Sequence, residues 1–129
     1  MIGYISGKFL SKKPNKVLVD VNGVGYLVNI SLNTFEKLEG KTEAAFFTYL
    51  NVREDALDLY GFTTTSEKEM FELLISVNGI GPKVALSVLS GIQLPDLREA
   101  ISSGNIARII STPGIGRKTA ERMIIELRD

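Results

Sequence analysis

Asn78-Gly79-Ile80-Gly81-Pro82-Lys83, answered 35 positions later by Pro113-Gly114-Ile115-Gly116-Arg117-Lys118, is the pair of stretches on which the fold turns. The match spreads beyond the glycines, since Ile75, Ser76, Lys83 and Ala85 recur as Ile110, Ser111, Lys118 and Ala120. A repeat of this period marks a copied supersecondary unit that cannot bury its apolar face alone. Each copy predicts an apolar helix, a tight Gly-Ile-Gly turn and a second helix opening beside a basic residue. Glycine reaches positive φ without steric cost, so two glycines around one apolar residue let the chain reverse sharply. Ile80 and Ile115 can then plug the gap between the helices of their own copy. The two copies are expected to pack on each other around a pseudo-twofold axis.

The second helix of each copy is the candidate site. Pro82 suits a first helical position, where its missing N–H has no intrahelical partner to lose. Free first-turn N–H groups and the positive end of the helix dipole make a ready place for an anion. Lys83, Arg117 and Lys118 add formal charge beside those donors, and phosphate is the anion that the arrangement suits best. One such loop is more often a plain helix connector, but two copies with a cation at the same offset favour the site. A dinucleotide loop is excluded because neither copy follows a strand, and Val84 and Thr119 occupy the place of its last small residue. The G-x-x-x-x-G-K-[ST] phosphate loop is absent. The candidate contacts are therefore Asn78, Gly79, Ile80, Gly81 and Lys83 in the first copy. In the second they are Gly114, Ile115, Gly116, Arg117, Lys118 and Thr119. A helix-hairpin-helix of this kind is a unit for holding a nucleic-acid backbone.

Composition narrows the chemistry. The chain has 129 residues, 44% of them hydrophobic, which is normal for globular protein. It contains no cysteine and no histidine, so disulfides, thiolate metal sites and a hydrolytic triad are excluded, and no cofactor or metal is expected. No secretory signal or long apolar run appears, which predicts a cytoplasmic protein. Fifteen basic residues balance fifteen acidic ones. Nucleic-acid binders usually carry a basic excess; here the charge would have to be segregated by face, with backbone donors making much of the contact.

In chain order, 1–10 and 16–22 are strand-like. Val17, Val19 and Val21 alternate in one strand, and Val24, Tyr26, Val28 and Ile30 in the next. Asn22-Gly23 between them predicts a tight hairpin. A short helix is expected over 32–38, capped by Ser31 or Asn33, and a second hairpin joins 45–52 to 57–62 through Arg53-Glu54-Asp55-Ala56. Five short strands with a helical turn between the third and fourth predict an α+β chain: a closed barrel of the oligonucleotide-binding type, or an SH3-like barrel, then helices. The period changes at Thr63-Thr64-Thr65-Ser66, so domains are expected over 1–64 and 65–129. Ser66 with Glu69 fits a capping box. Helices are predicted over 67–77, 82–90, 95–102, 105–111 and 117–128, with Met70, Phe71, Leu73, Leu74 and Val77 as one buried stripe. The core is extended by Val84, Leu86, Val88, Leu89, Leu97, Ile101, Ile106, Ile109, Ile110, Met123, Ile124 and Leu127. By themselves, Glu54 and Asp55 suggest only a solvated turn.

Several distinctive runs now stand together. They are Met1-Ile2-Gly3-Tyr4-Ile5 with Gly7, Arg53-Glu54-Asp55-Ala56 leading to Leu59-Tyr60-Gly61-Phe62, both glycine loops, and Thr119-Ala120-Glu121-Arg122 closing on Glu126-Leu127-Arg128-Asp129. In collinear order across all 129 residues they resemble the RuvA family of bacterial Holliday junction-binding subunits. The resemblance implies an oligonucleotide-binding barrel, two helix-hairpin-helix motifs, and a homotetramer, or an octamer on DNA, that holds a four-way junction open for branch migration in recombination, repair and the SOS response. It makes Glu54 and Asp55 an acidic pin gathered at the tetramer's centre. It names as partners the RuvB ATPase, reached through a third domain expected to be missing from this stretch, and the RuvC resolvase, with no membrane and no intrinsic ATPase. Two departures are visible: Leu94 precedes Pro95 where a better cap is expected, and Arg117 stands where the family often has Lys. The rival reading is a helical scaffold that docks another protein and ignores DNA.

Overall fold

The computed structural model describes residues 1–128; Asp129, the last residue of the resemblance, lies outside them. The chain forms two compact units, Met1–Lys68 and Glu69–Asp129.

In the first unit β1 (Tyr4–Lys13), β2 (Lys16–Val21), β3 (Val24–Asn29), β4 (Glu43–Arg53) and β5 (Ala56–Phe62) close into a barrel in the order β1-β2-β3-β5-β4, with α1 (Leu32–Lys37) between β3 and β4. Neighbours are antiparallel except for β3 and β5, where Val28 faces Leu59 and Asn29 faces Tyr60 in parallel. That order, with the helix at that place, is the oligonucleotide-binding barrel and not the SH3-like one.

The sequence explains the closure locally. Val17, Val19 and Val28 alternate inward and are fully buried beside Ile5, Ile30, Leu38, Phe46 and Leu59. The Asn22-Gly23 turn places both residues at positive φ, 52° and 92°, the geometry that matches the twist of a two-residue hairpin. Asp20 Oδ1 accepts from the Gly23 N–H at 2.8 Å and ties that turn. Two glycines are set by close approach: a Cβ at Gly7 would stand 2.2 Å from the Asp20 carbonyl oxygen, and one at Gly61 2.5 Å from Val28 Cγ1. Strand β1 runs three residues past Leu10 to Lys13, through a bulge between Phe9 and Ser11. Alternation could not show this, because Ser11-Lys12-Lys13 is polar and is held by pairing with Lys16, Val17 and Leu18.

Ser31 caps α1, its Oγ accepting from the Thr34 N–H at 3.0 Å. Lys12 Nζ donates to the Leu38 and Lys41 carbonyls at 2.9 and 3.0 Å, a cation placed at the negative end of the helix. The first unit ends four residues later than the composition break because of Glu67. This buried carboxylate meets Lys37 Nζ at 2.8 Å and accepts from Thr34 Oγ1 at 3.3 Å, so the first turn of α2 (Thr65–Ser76) belongs to the barrel. The cap of α2 is Thr64, whose Oγ1 accepts from the Glu67 N–H at 3.2 Å; Ser66, expected to serve, lies two positions further on, inside the helix.

The second unit continues with α3 (Pro82–Gly91), α4 (Leu94–Ser103), α5 (Ile106–Ile110) and α6 (Arg117–Leu127). Phe71, Leu74, Val77, Ala85, Val88, Leu97, Ile109, Ala120 and Met123 are almost wholly enclosed. Leu73 and Ile110, expected inside, are exposed at 49% and 39%; each sits at the edge of its helix's apolar stripe. Gly104 closes α4 in the left-handed region, and Gln93, not Leu94, is the residue before that helix.

Candidate nucleic-acid interface

The two glycine loops are conformational copies. Gly79 and Gly114 take φ of 100° and 93°, a left-handed turn that side chains with a Cβ resist. Each is followed by a buried isoleucine whose N–H donates to a carbonyl just past the end of the preceding helix: Ile80 to Val77 at 3.1 Å, Ile115 to Thr112 at 3.3 Å. For Ile80 and Ile115, both expected DNA contacts, neither the side chain nor the N–H faces outward. Their side chains are interior and their N–H groups are occupied, so they shape the loop from inside.

The next glycine opens the second helix. Gly81 and Gly116 are the N-caps of α3 and α6, with φ, ψ of −91°, 176° and −91°, 178°. Their carbonyls accept from Ala85 and Ala120 N–H, both at 3.0 Å. Neither helix has a side-chain cap. The N–H groups of Lys83 and Val84, and of Arg117, Lys118 and Thr119, thus have no acceptor within their own helices. Extended backbone of this kind accepts any residue, and a Cβ at Gly81 or Gly116 would meet nothing within 4 Å. The fold does not need glycine at either place.

The copies also meet reciprocally. A Cβ on Gly79 would lie 3.4 Å from Thr119 Oγ1, and one on Gly114 3.3 Å from Val84 Cγ2. Val84 and Thr119 are equivalent positions of the repeat, so each loop rests on the helix start of the other. The two helix N-termini share one neighbourhood under a local twofold, and Asn78, Gly79, Gly81, Lys83, Gly114, Gly116, Arg117 and Lys118 are all exposed there. Among the described residues neither Lys83 nor Lys118 is in an ion pair, whereas Arg117 Nε lies 3.3 Å from Glu121 Oε1 across one helical turn. One contributor escaped the sequence reading: Arg122 Nη1 donates to the Asn78 carbonyl at 3.1 Å, bracing the first loop from the second hairpin. Its place one turn beyond Lys118 on α6 was the only signal available.

At the far end of β4, Glu54 and Asp55 form the two-residue turn between the partners Arg53 and Ala56, exposed to solvent. Arg53 Nη2 meets Asp58 Oδ2 at 2.8 Å, leaving the tip its negative charge. Behind it, burial first and the Asp58 carboxylate second raise the pKa of the Tyr60 phenol above its ordinary value, with Arg53 acting against them. Among the described residues no cluster of carboxylates is placed to hold a metal, and no helix is long and apolar enough to cross a membrane.

Comparison with known proteins meets this geometry from both sides. Residues 1–61 match the family model of the RuvA N-terminal domain, and residues 71–129 match that of the SAM-like helix-hairpin-helix tandem. The proteins of Geobacter metallireducens and Delftia acidovorans are 50% and 47% identical to the chain. They cover 100% and 99% of it, and it spans 65% and 68% of them. The chain belongs to the RuvA family. A third member, from Geotalea daltonii, is 48% identical, again with 65% of its length matched. All three relatives carry the name Holliday junction branch migration complex subunit RuvA. The family assignment agrees with the barrel order and with the tandem of glycine loops, each reached here from its own residues.

Proposed function

We propose that this chain binds four-way junction DNA by shape, through the paired N-termini of α3 and α6, as one subunit of a homotetramer that keeps the junction open for branch migration. The observation that carries the reading is the pair of N-cap glycines that the fold does not require. Serine, asparagine or aspartate would stabilise either helix start better, and a Cβ would be tolerated by every neighbour in the chain. A bare backbone there serves an outside group that must come close, and the free N–H groups beneath it suit a phosphate oxygen. Two such sites related by a local twofold can address the two antiparallel strands of one duplex arm. Lys83 and Lys118 add charge without reading base edges.

Glu54 and Asp55 act in the opposite sense. Carboxylates facing phosphates repel them, more strongly where water is partly excluded, so the tips hold strands apart at the crossover and do not tighten binding. Four tips gathered at the tetramer's centre, with attraction at the periphery, account for the neutral net charge. The RuvB motor and the RuvC resolvase are the protein partners that this reading names.

A competition gel shift tests this. A four-way junction should displace the protein from linear duplex of the same sequence at far lower concentration, and equal affinity for both DNAs would refute the reading. Lys118→Ala should lower the log–log salt slope of junction binding by about one unit for each subunit whose Lys118 meets a phosphate. Glu54→Gln with Asp55→Asn should leave binding intact or stronger while changing junction movement.

A further inference from the structure

The hairpin that carries Glu54 and Asp55 has two unlike faces. Val52 pairs with Leu57 across the strands, Leu50 with Leu59, Arg53 with Ala56 and Asn51 with Asp58. Side chains alternate along a strand, so Phe46, Thr48, Leu50 and Val52 lie on one face of β4, and Leu59 and Leu57 on the matching face of β5. Phe46, Thr48 and Leu59 are buried, and Leu50 packs against the core. The same column then continues beyond the barrel, where Val52 and Leu57 stand 65% and 68% exposed. The opposite face carries the Arg53–Asp58 ion pair. A polar pair would be the ordinary choice at such an exposed place.

Charge decides what can cover this apolar pair. Glu54 and Asp55 lie just ahead of it, and the hairpin's own cation is paired with Asp58. The tip therefore repels phosphate. The flat faces of nucleobases are uncharged and apolar, and leucine is among the side chains used as wedges between base steps where a duplex is opened.

We propose that Val52 and Leu57 form an apolar wedge that packs on the faces of bases unstacked at the junction crossover. The proposal rests on the reading of this hairpin as the acidic pin. The carboxylates push the sugar-phosphate chains aside, and the pair behind them shelters the exposed base faces from water. Separation of strands thus has a repulsive part and an attractive part on one hairpin.

The test uses a four-way junction with 2-aminopurine at the crossover, whose fluorescence rises when the base leaves its stack. At saturating protein the unaltered chain should raise the signal. Val52→Thr with Leu57→Ser should give less than about half that rise, while Leu57→Met, still apolar, should give all of it. An equal rise with the double variant overturns the wedge. So does a smaller solution mass of the free double variant, which would assign the pair to contact between copies. If the unaltered chain does not bind the junction, the parent reading fails together with the wedge; if it binds and the double variant matches it, the wedge alone fails.

Discussion

At the scale of single residues, the repeat works as an internal control, because each position has a partner in the other copy. Gly79 and Gly114 are fixed by their left-handed backbone, whereas Gly81 and Gly116 are free of any such demand. Four glycines that look alike in the sequence thus have two different causes. Ser76 and Ser111 match down to their bonds, each hydroxyl donating to the carbonyl three residues back, Leu73 at 2.5 Å and Arg108 at 2.6 Å. Thr112 breaks the symmetry. It is buried, its Oγ1 has no hydrogen-bond partner, and its counterpart is the buried Val77. A buried hydroxyl without a partner costs stability, and valine has nearly the same shape. Thr112→Val is expected to stabilise the helical unit by ~1 kcal/mol, seen as a rise in Tm of about 3–5 °C. A fall in Tm would show that the hydroxyl is satisfied by something other than the chain.

Elements show where pattern suffices and where it does not. Strand β5 gives a prediction of its own through Tyr60. Its folded pKa is raised above the unfolded value, so its neutral form contributes stability that is complete below the unfolded pKa of about 10 and is lost as pH rises through the folded value. Tyr60→Phe should therefore flatten the fall in stability above about pH 10, measured by urea unfolding at several alkaline pH values; an unchanged fall would mean that another group controls it. The strands and helices themselves were legible because alternation, the Asn22-Gly23 turn and helix-end glycines are local signals. The α2 cap was misplaced because Thr64, Thr65 and Ser66 are chemically equivalent caps, and only the barrel contact of Glu67 with Lys37 sets the register. Leu73 and Ile110 were misread because a stripe of apolar residues does not say how wide the partner surface is. The crossed contacts of Gly79 with Thr119 and Gly114 with Val84 could not be seen at all, since they depend on how two helical hairpins dock. Ile80 and Ile115 entered the site by their position in the motif, which could not show that their amides are occupied within the chain.

For the whole molecule, neutral net charge stops being an obstacle to DNA binding once its distribution is known. Cations sit at uncapped helix starts in one unit, and carboxylates sit at a hairpin tip in the other. In the proposed function, attraction by backbone N–H groups reads the path of the sugar-phosphate chain, so selectivity for a junction needs no base contact. The central claim is that Gly81 and Gly116 are kept open for phosphate, and serine at both places separates that claim from any effect on folding. Serine would cap both helices and restrict the unfolded chain, which favours stability, while its hydroxyl would occupy the donors meant for phosphate. The deciding measurement is therefore the junction affinity of Gly81→Ser with Gly116→Ser beside its Tm. The account predicts an equal or higher Tm with affinity reduced about tenfold or more, and a double variant that is as stable and binds the junction as tightly as the unaltered chain would contradict it.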